Sequence, residues 1–416
     1  MSWQDNFLDQ YILIETTDFC NLNCIMCSHE NIPGPHSKPK GFMSFELFKK
    51  IVDEIPEKRV AAGYKLFWLG EPFLNPEFSK MLEYLYEKLK DRPEYIDIHT
   101  NAHFLTEDMI ELLLKSGKKI PRLTISMDAI NNETYKKIRR GGNLDKVKSN
   151  IRYFLKEREK RGLSYPTLIF QFIIMDENKD EAREFQDFWI NTVEDIKKRY
   201  SKSFISKFSK RIMGDSLKDV IWFKRVDVVP EKREWAEKVY VDTVRRFGLK
   251  KKNTYNYDVI VSIDNLWDSE EGEAMAINGP IDEKKSESKD NELQKEHVNK
   301  EKKPFRPVCS AIFKSPCFMW NGELTICCFD PAMQYSLGNI KDSSFDELWF
   351  GEKMENIRML QIKGEFENII TNDGYKKCLN CSGYDTPRIT DEEIRDYLLE
   401  KGRGDIWKEY IKRRDE

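Results

Sequence analysis

Residues 11–27 read YILIETTDFCNLNCIMC. The first part, 11–15, is short, apolar and β-branched, the pattern of a buried strand. The loop that follows carries Cys20, Cys24 and Cys27 in a C-x3-C-x2-C spacing. Three thiolates on so tight a loop can hold three irons of an iron–sulfur cubane and leave the fourth open to a small molecule. A zinc site is the competing reading; it needs a fourth ligand, and His29 and His36 are at hand. Position favours the cluster, because parallel-strand folds keep their chemistry on loops at the C-terminal strand ends.

Moving outward, five more segments repeat the strand pattern: 64–69, 95–99, 123–127, 168–174 and 220–226. Amphipathic stretches at 45–57, 76–90, 106–116 and 144–161 alternate with them. The first bears Phe45, Phe48, Ile51, Val52 and Ile55 at helical spacing, with Ser44 as N-cap. This alternation predicts an α/β fold of parallel βαβ units with right-handed crossovers. Six units are too few for a closed barrel, so the expectation for 10–230 is an open, partial (β/α)6 TIM-like barrel. A flanking segment, 231–267, follows. In 268–303 half of the 36 residues are charged and none is aromatic, so a disordered linker is expected. Beyond it lie a small cysteine-rich α/β domain, 304–385, and a charged, surface-lying helical segment, 386–416. Within the small domain, 317–329 reads as a hairpin with Asn321-Gly322 as a two-residue turn. Ser343 or Ser344 then caps one helix bearing Phe345, Leu348, Trp349, Met354, Ile357 and Leu360.

The chain has 416 residues, and 69 basic against 72 acidic residues leave a net charge of −3. That balance excludes a blanket electrostatic grip on nucleic acid. A hydrophobic content of 40% and an aromatic content of 12% exclude a wholly disordered chain. The first ten residues lack a signal-peptide pattern and no apolar run is long enough to span a bilayer, so a cytoplasmic protein without a membrane partner is expected. Nine cysteines in a reducing compartment make a poor disulfide set. Three cluster near the N-terminus. Cys309, Cys317, Cys327, Cys328, Cys378 and Cys381 lie towards the C-terminus, with none in the 281 residues between. Such segregation predicts two separate metal sites.

Further motifs follow the strands in order: Gly70-Glu71-Pro72 after the second, Thr100-Asn101 after the third, Ser126-Met127-Asp128 at the fourth, and E-T-Y-x-x-I-R ending in Arg139. Together with the cysteine loop they resemble the radical S-adenosylmethionine (SAM) enzymes over 11–226. The resemblance implies that Cys20, Cys24 and Cys27 hold a [4Fe–4S] cluster whose open iron is chelated by the amino and carboxylate groups of SAM. It implies that Gly70 lets the backbone approach the ligand, and that the Gly70-Glu71 motif reads the methionyl ammonium. Thr100, Asn101 and Ser126 would contact the cofactor, Asp128 the ribose and Arg139 the SAM carboxylate. Gln171 would line the site, and Asn178 falls where related sequences carry a polar residue. Two departures stand out. Met26 replaces the usual aromatic residue that packs on adenine, a place a thioether can fill. Trp68-Leu69 stand where the motif has a second glycine.

The tail resembles the cysteine-rich extensions called SPASM and twitch domains. Cys309, Cys327, Cys378 and Cys381 would close one auxiliary [4Fe–4S] cluster, since no cysteine follows Cys381. Cys317 and Cys328 are then spare, with Cys328 the second choice for Cys327, and structural zinc is the competing reading. The implied activity is that of an oxidoreductase: a 5′-deoxyadenosyl radical attacks substrate and the auxiliary cluster accepts the electron. A small polar metabolite (a sugar or alcohol) is the first expectation for substrate, because only about ten residues precede the first strand and leave no leader-peptide-binding domain. A maturase of a ribosomally made peptide is the second, and a zinc-stabilised binding protein without catalysis the third. A flavodoxin or ferredoxin would supply the electron, and nucleic acid is not an expected partner. Residues 197–211 hold seven basic and no acidic residues, with Tyr200, Phe204 and Phe208 four apart. They read as a helix with a solvated basic face or as a patch for an anionic partner. His99, at a strand end, is expected to be structural.

Overall fold

The computed structural model describes residues 11–27, 40–55, 63–92, 94–200, 218–227, 232–249, 259–263, 305–370, 378–379, 381 and 389–415. The opening strand, β1 (Tyr11–Ile14), lies inside a ten-stranded sheet, with neighbours on both sides. A two-residue strand, β2 (Asn23–Cys24), follows in the cysteine loop. The sheet continues on one side through β3 (Gly63–Lys65), β4 (Tyr95–Thr100), β5 (Arg122–Ser126), β7 (Thr167–Ile174), β8 (Asp219–Arg225) and β9 (Val259–Ile263), every neighbour parallel. The short β6 (Arg139–Arg140) stands apart and pairs with β2. Helices α1 (Phe45–Glu54), α2 (Phe78–Leu89), α3 (Glu107–Lys115), α4 (Asn132–Ile138), α5 (Leu144–Lys160), α6 (Ala182–Tyr200) and α7 (Arg233–Phe247) fill the crossovers. All six expected strands are present. The second ends early, at Lys65: Leu66 N still donates to Asp97 O at 3.0 Å, but beyond it Leu69 N donates to Glu15 Oε1 at 3.3 Å and the Trp68 indole turns towards the tail. A seventh strand, β9, lies in the segment expected only to flank the barrel.

Packing follows the alternation of side chains along each strand. On β4, Ile96, Ile98 and Thr100 are buried, while Tyr95, Asp97 and His99 line the opposite face. Helix α1 is capped by Ser44, whose Oγ accepts from Leu47 N at 3.3 Å, and it buries Leu47, Phe48, Ile51 and Val52. Phe170 of β7 stacks on Trp189 of α6 at 4.5 Å. Arg158 of α5 grips Asp219, the first residue of β8, with two bonds of 2.7 Å. Burial raises the Asp219 carboxyl pKa, but the guanidinium outweighs it and holds the group below its ordinary value.

The sheet does not close. The free edge of β1 is taken instead by the tail, whose β10 (Cys317–Phe318) pairs with it in parallel, Leu13 opposite Cys317. Antiparallel β11 (Glu323–Thr325) and β12 (Ser336–Asn339) complete this end. The hairpin forms, but its loop has three residues, 320–322. Met319 N donates to Glu323 O, and Gly322 N to Met319 O, each at 2.9 Å. Gly322 sits at φ 90°, the left-handed conformation such a loop requires. After α8 (Ala311–Lys314), the single expected helix is two, α9 (Phe345–Trp349) and α10 (Glu352–Lys363), broken at Gly351; Ser344 makes the capping box with Glu347. The closing segment is also two helices, α11 (Asp391–Glu400) and α12 (Gly404–Asp415). They bury Ile394, Tyr397, Leu398, Ile406 and Tyr410 and so pack onto the core instead of lying on the surface. The linker, most of the basic stretch, His29 and His36 lie outside the described residues.

Candidate metal and cofactor centre

The ladder between β2 and β6 pairs Cys24 with Arg139, and Ile25 N donates to Ile138 O at 3.0 Å, so the cysteine loop is clipped to the end of α4. Cys27 N closes a turn onto Cys24 O at 3.1 Å. Gly70 packs against the approach to this loop. A Cβ there would lie 2.2 Å from Thr17 O and 2.7 Å from Phe19 O, so the missing side chain admits the loop's own backbone.

Glu71 is buried with both oxygens engaged. Thr100 Oγ1 donates to Oε1 at 2.6 Å and Asn101 N to Oε2 at 2.7 Å. Burial pushes the carboxyl up to about 7 against the pull of those donors. Asp128, fully buried with φ 59°, accepts from Ile173 N at 2.7 Å through one oxygen. Its other oxygen accepts from Arg139 Nε at 2.8 Å and from Nη2. Asn178 braces the turn, donating to Asp128 O and Ile173 O at 2.8 Å. Ser126 and Gln171 are register neighbours, Nε2 lying 3.3 Å from Oγ. Met26 packs with Ile25 and Ile173 on a small cluster of Ile138, Met175, Val226 and Ala236. The expected ribose contact and the expected carboxylate contact therefore grip each other, and Glu71 grips its own scaffold.

Two donors are aimed at thiol sulfurs: Arg139 Nη1 lies 3.7 Å from Cys24 Sγ, and Asn101 Nδ2 lies 3.9 Å from Cys20 Sγ. Burial pushes the Cys20 thiol up to about 11 and raises Cys24 despite the nearby Arg139. Thiols so buried ionise near neutral pH when they ligate a metal ion. Three cysteines outside any disulfide in a short loop, two with donors on their sulfurs and one with a guanidinium in contact, fit an anionic iron–sulfur cluster.

The tail gathers its cysteines from three segments. Burial raises Cys327 well above its ordinary pKa, with further pushes from Cys328, Cys378, Cys317 and Cys309. Burial likewise takes Cys378 to about 12, followed by Cys381 and Cys309. Gln361 ties two of these segments together: its Oε1 accepts from Cys309 N at 3.1 Å and its Nε2 lies 3.8 Å from Cys378 Sγ. The four expected ligands are thus neighbours, with Cys328 beside them and more exposed than Cys327. Among the described residues no three Cys, His, Asp or Glu side chains converge as the ligands of one ion do. A cubane asks for less, since each of its thiolates binds a different iron. Trp68, the departure from the glycine motif, donates its indole N–H to Cys328 O at 3.1 Å and so joins the two ends of the molecule.

Sequence reasoning missed a polar sheet face. Lys65 pairs in register with Asp97, and Phe67 stacks on His99 at 3.6 Å. His99 Nε2 lies 3.6 Å from Asp97 Oδ1. Burial, then Lys65 and Lys224, push the His99 pKa down to about 3. Asp97 is raised to about 6 by burial, against Lys65 and Arg122. Lys65 also acts on Cys317 and Cys328, so this face reaches the tail cysteines. The signal was present: central parallel strands are normally near-continuous apolar runs, and Tyr95-x-Asp97-x-His99 is not.

Two family models match the chain: the radical SAM superfamily over residues 14–188, and SPASM, an iron–sulfur cluster-binding domain, over 309–382. Among curated proteins, the tungsten-containing aldehyde ferredoxin oxidoreductase cofactor-modifying protein of Pyrococcus furiosus is 27% identical over 186 residues, 44% of this chain and 48% of that one. A GTP 3′,8-cyclase of Listeria monocytogenes is 32% identical over 184 residues, 43% of this chain and 50% of that one. The chain thus spans about half the length of these relatives. Among solved structures, Streptococcus suis SuiB bound to precursor peptide SuiA has a TM-score of 0.52 at 13% identity, covering 92% of this chain and 71% of that one. Native anSMEcpe with bound AdoMet and Cp18Cys peptide has a TM-score of 0.51 at 18% identity, covering 97% and 96%. These two likenesses establish the fold. Among the described residues no helix is long and apolar enough to cross a membrane. With its cysteine loop, its open parallel sheet and both family matches in agreement, the chain belongs to the radical SAM superfamily, with SAM and [4Fe–4S] clusters as cofactors and a C-terminal SPASM domain.

Proposed function

We propose that this radical SAM enzyme modifies a ribosomally made peptide. The fold likeness supports this: it runs over nearly all of anSMEcpe, tail included, in a structure that holds a peptide. The expectation of a small metabolite loses its main support, since the start of the chain decides nothing about substrate. That metabolite reading survives as a second one, carried by the curated likeness to GTP 3′,8-cyclases.

In this proposal Cys20, Cys24 and Cys27 hold the SAM-binding cluster, and Cys309, Cys327, Cys378 and Cys381 hold one auxiliary cluster. The observation that carries the first assignment is the pair of donors, from Arg139 and Asn101, directed at Cys24 and Cys20. SAM and its cluster, when bound and reduced by a flavodoxin- or ferredoxin-type donor, supply a 5′-deoxyadenosyl radical that removes a hydrogen atom from substrate. The chain's own residues position and shield. Gly70 lets the loop seat closely. Glu71, held by Thr100, and the Asp128–Arg139 pair brace the walls, leaving Ser126 and Gln171 as the polar groups that would be offered to the cofactor. Lys65, His99 and Lys224 present the substrate-binding face between the two cysteine regions, with His99 neutral.

The test begins with protein prepared without oxygen. About eight irons per chain are expected, as two [4Fe–4S] clusters; about four would remove the auxiliary site. Reduced protein with SAM is then given an extract of the source cells that retains both peptides and small molecules, and 5′-deoxyadenosine is measured. Pretreating the extract with protease should abolish the stimulation. Stimulation that survives protease would replace the peptide by a metabolite.

A further inference from the structure

His103 was not among the residues expected to matter, yet it ends a chain of hydrogen bonds that reaches the Cys20 sulfur. Both His103 and Asn101 are buried. The directions of the bonds follow from groups that can only donate. Asn143 N donates to His103 Nε2 at 2.8 Å, so Nε2 carries no proton and the ring's proton sits on Nδ1. Nδ1 lies 3.0 Å from Asn101 Oδ1 and therefore donates to it. His103 N donates to the same atom at 3.0 Å, which identifies it as the carboxamide oxygen. The NH2 group of Asn101 must then point the other way, where it meets Asn21 Oδ1 at 2.9 Å and Cys20 Sγ at 3.9 Å. The Asn101 backbone is fixed independently by Glu71.

We propose that His103 is a positioning residue: its neutral imidazole, oriented by the Asn143 amide, holds the Asn101 carboxamide with its N–H towards Cys20 and so raises the reduction potential of the cluster carried there. An N–H directed at a cluster sulfur stabilises the more negative, reduced state, and hydrogen bonds to the sulfurs are one of the protein's levers on potential. In His103→Leu the carboxamide loses its donor from the ring and is free to turn. The inference rests on the assignment of Cys20, Cys24 and Cys27 to a [4Fe–4S] cluster.

The experiment is an EPR-monitored redox titration of the full-length, cluster-loaded protein without SAM or substrate. At fixed poise, H103L should lower the reduced-to-oxidised ratio of the N-terminal cluster by about threefold to tenfold, tenfold being about 59 mV for a one-electron couple. Asn101→Ala should shift it in the same direction, and adding H103L to it should shift it little further, because both act through one carboxamide. His103→Gln should stay within about twofold of wild type, since its carbonyl can accept from Asn143 and its amide can donate to Asn101. A purely structural histidine would not give that rescue. A loaded H103L with the wild-type potential overturns the proposal. Should H103L fail to load, N101A at the wild-type potential, or H103Q shifted as far as N101A, overturns it equally. A wild-type protein with no iron–sulfur signal refutes the cluster assignment itself, a different failure.

Discussion

The two cysteine regions reach similar ends by opposite routes. The N-terminal one lies within a single loop, 20–27, clipped by a two-residue ladder to Arg139 and backed by donors on two sulfurs. The C-terminal one is assembled from segments around 309, 327 and 378–381, drawn together by Gln361 and by a hairpin that extends the main sheet at β1. Each region also buries an arginine. Arg139 faces a carboxylate, Asp128. Arg358 lies within 5.4, 5.3 and 5.7 Å of the Phe313, Trp349 and Phe350 ring centroids and donates Nε to Ile312 O at 3.0 Å. A site made by local spacing leans on charge; a site made by tertiary assembly leans on packing.

The largest effect should come from the local site. Replacing Cys20, Cys24 and Cys27 together by Ala removes the only three thiols of that loop. SAM cleavage to 5′-deoxyadenosine should fall below detection while about half of the iron remains in the tail. Retained cleavage would sink the assignment; loss of all the iron would show that the two regions do not load independently.

The assembled site should respond differently. Cys378→Ala with Cys381→Ala should empty the tail, yet SAM cleavage should persist because the sheet that carries the SAM site does not depend on those residues. Substrate conversion should fail, since the substrate radical loses its electron acceptor. Loss of metal can unfold a small domain. Here the tail shares a sheet and a continuous apolar core with the barrel, so cooperative thermal unfolding should survive with a lowered midpoint. A folded double variant that turned substrate over at the wild-type rate would make the auxiliary cluster structural.

This contrast also sorts what was legible in the sequence. The C-x3-C-x2-C loop and the six strands could be read because each is a local pattern, a spacing or a short β-branched run. The four tail thiols could be named but not placed, because their neighbourhood is made by tertiary contacts tens of residues apart, such as Gln361 with Cys309 and Cys378. Strand β9 carried the same β-branched signal and was passed over because the charged linker, not a helical pattern, follows it. The single helix expected after Ser344 ignored Gly351, and the hairpin loop gained a residue because a left-handed Gly322 suits a three-residue loop as well as a two-residue one. Motif order named Glu71, Asp128 and Arg139 but carried no information on their hydrogen bonds within the protein. Which oxygen accepts which N–H is a tertiary fact: Glu71 accepts from Asn101 N, and Asp128 accepts from Arg139.

The charge of the local site can be broken directly. Asp128→Asn keeps an oxygen for Ile173 N but turns an NH2 towards the Arg139 guanidinium, leaving a buried cation without its carboxylate. Loss of one partner of such a pair costs about 3–5 kcal/mol. Denaturant unfolding of the loaded protein should show that loss, and D128N combined with Arg139→Met should recover most of it, because neither charge then remains. A single-variant cost under about 1 kcal/mol would mean that Asp128 does not balance Arg139.

The smallest effect is expected at the other arginine, where the logic reverses. Arg358 is fully buried, and burial pushes its pKa down to about 10, with Tyr397 and Glu355 offsetting only part of that push. Its surroundings therefore disfavour the charge they hold, whereas Asp128 favours that of Arg139. Arg358→Met removes the charge and keeps most of the side-chain volume, and a thioether packs well against the same three rings. The variant gives up the cation–π contacts and the donor to Ile312 O, worth about 1–3 kcal/mol together. It also removes the desolvation penalty of a buried ion, which apolar replacement offsets by a similar amount. Stability should change by less than about 1 kcal/mol, in either direction, with iron content unaltered. A loss as large as that of D128N would show that Arg358, too, is held by charge, and the division between a charged local site and a packed assembled one would fall.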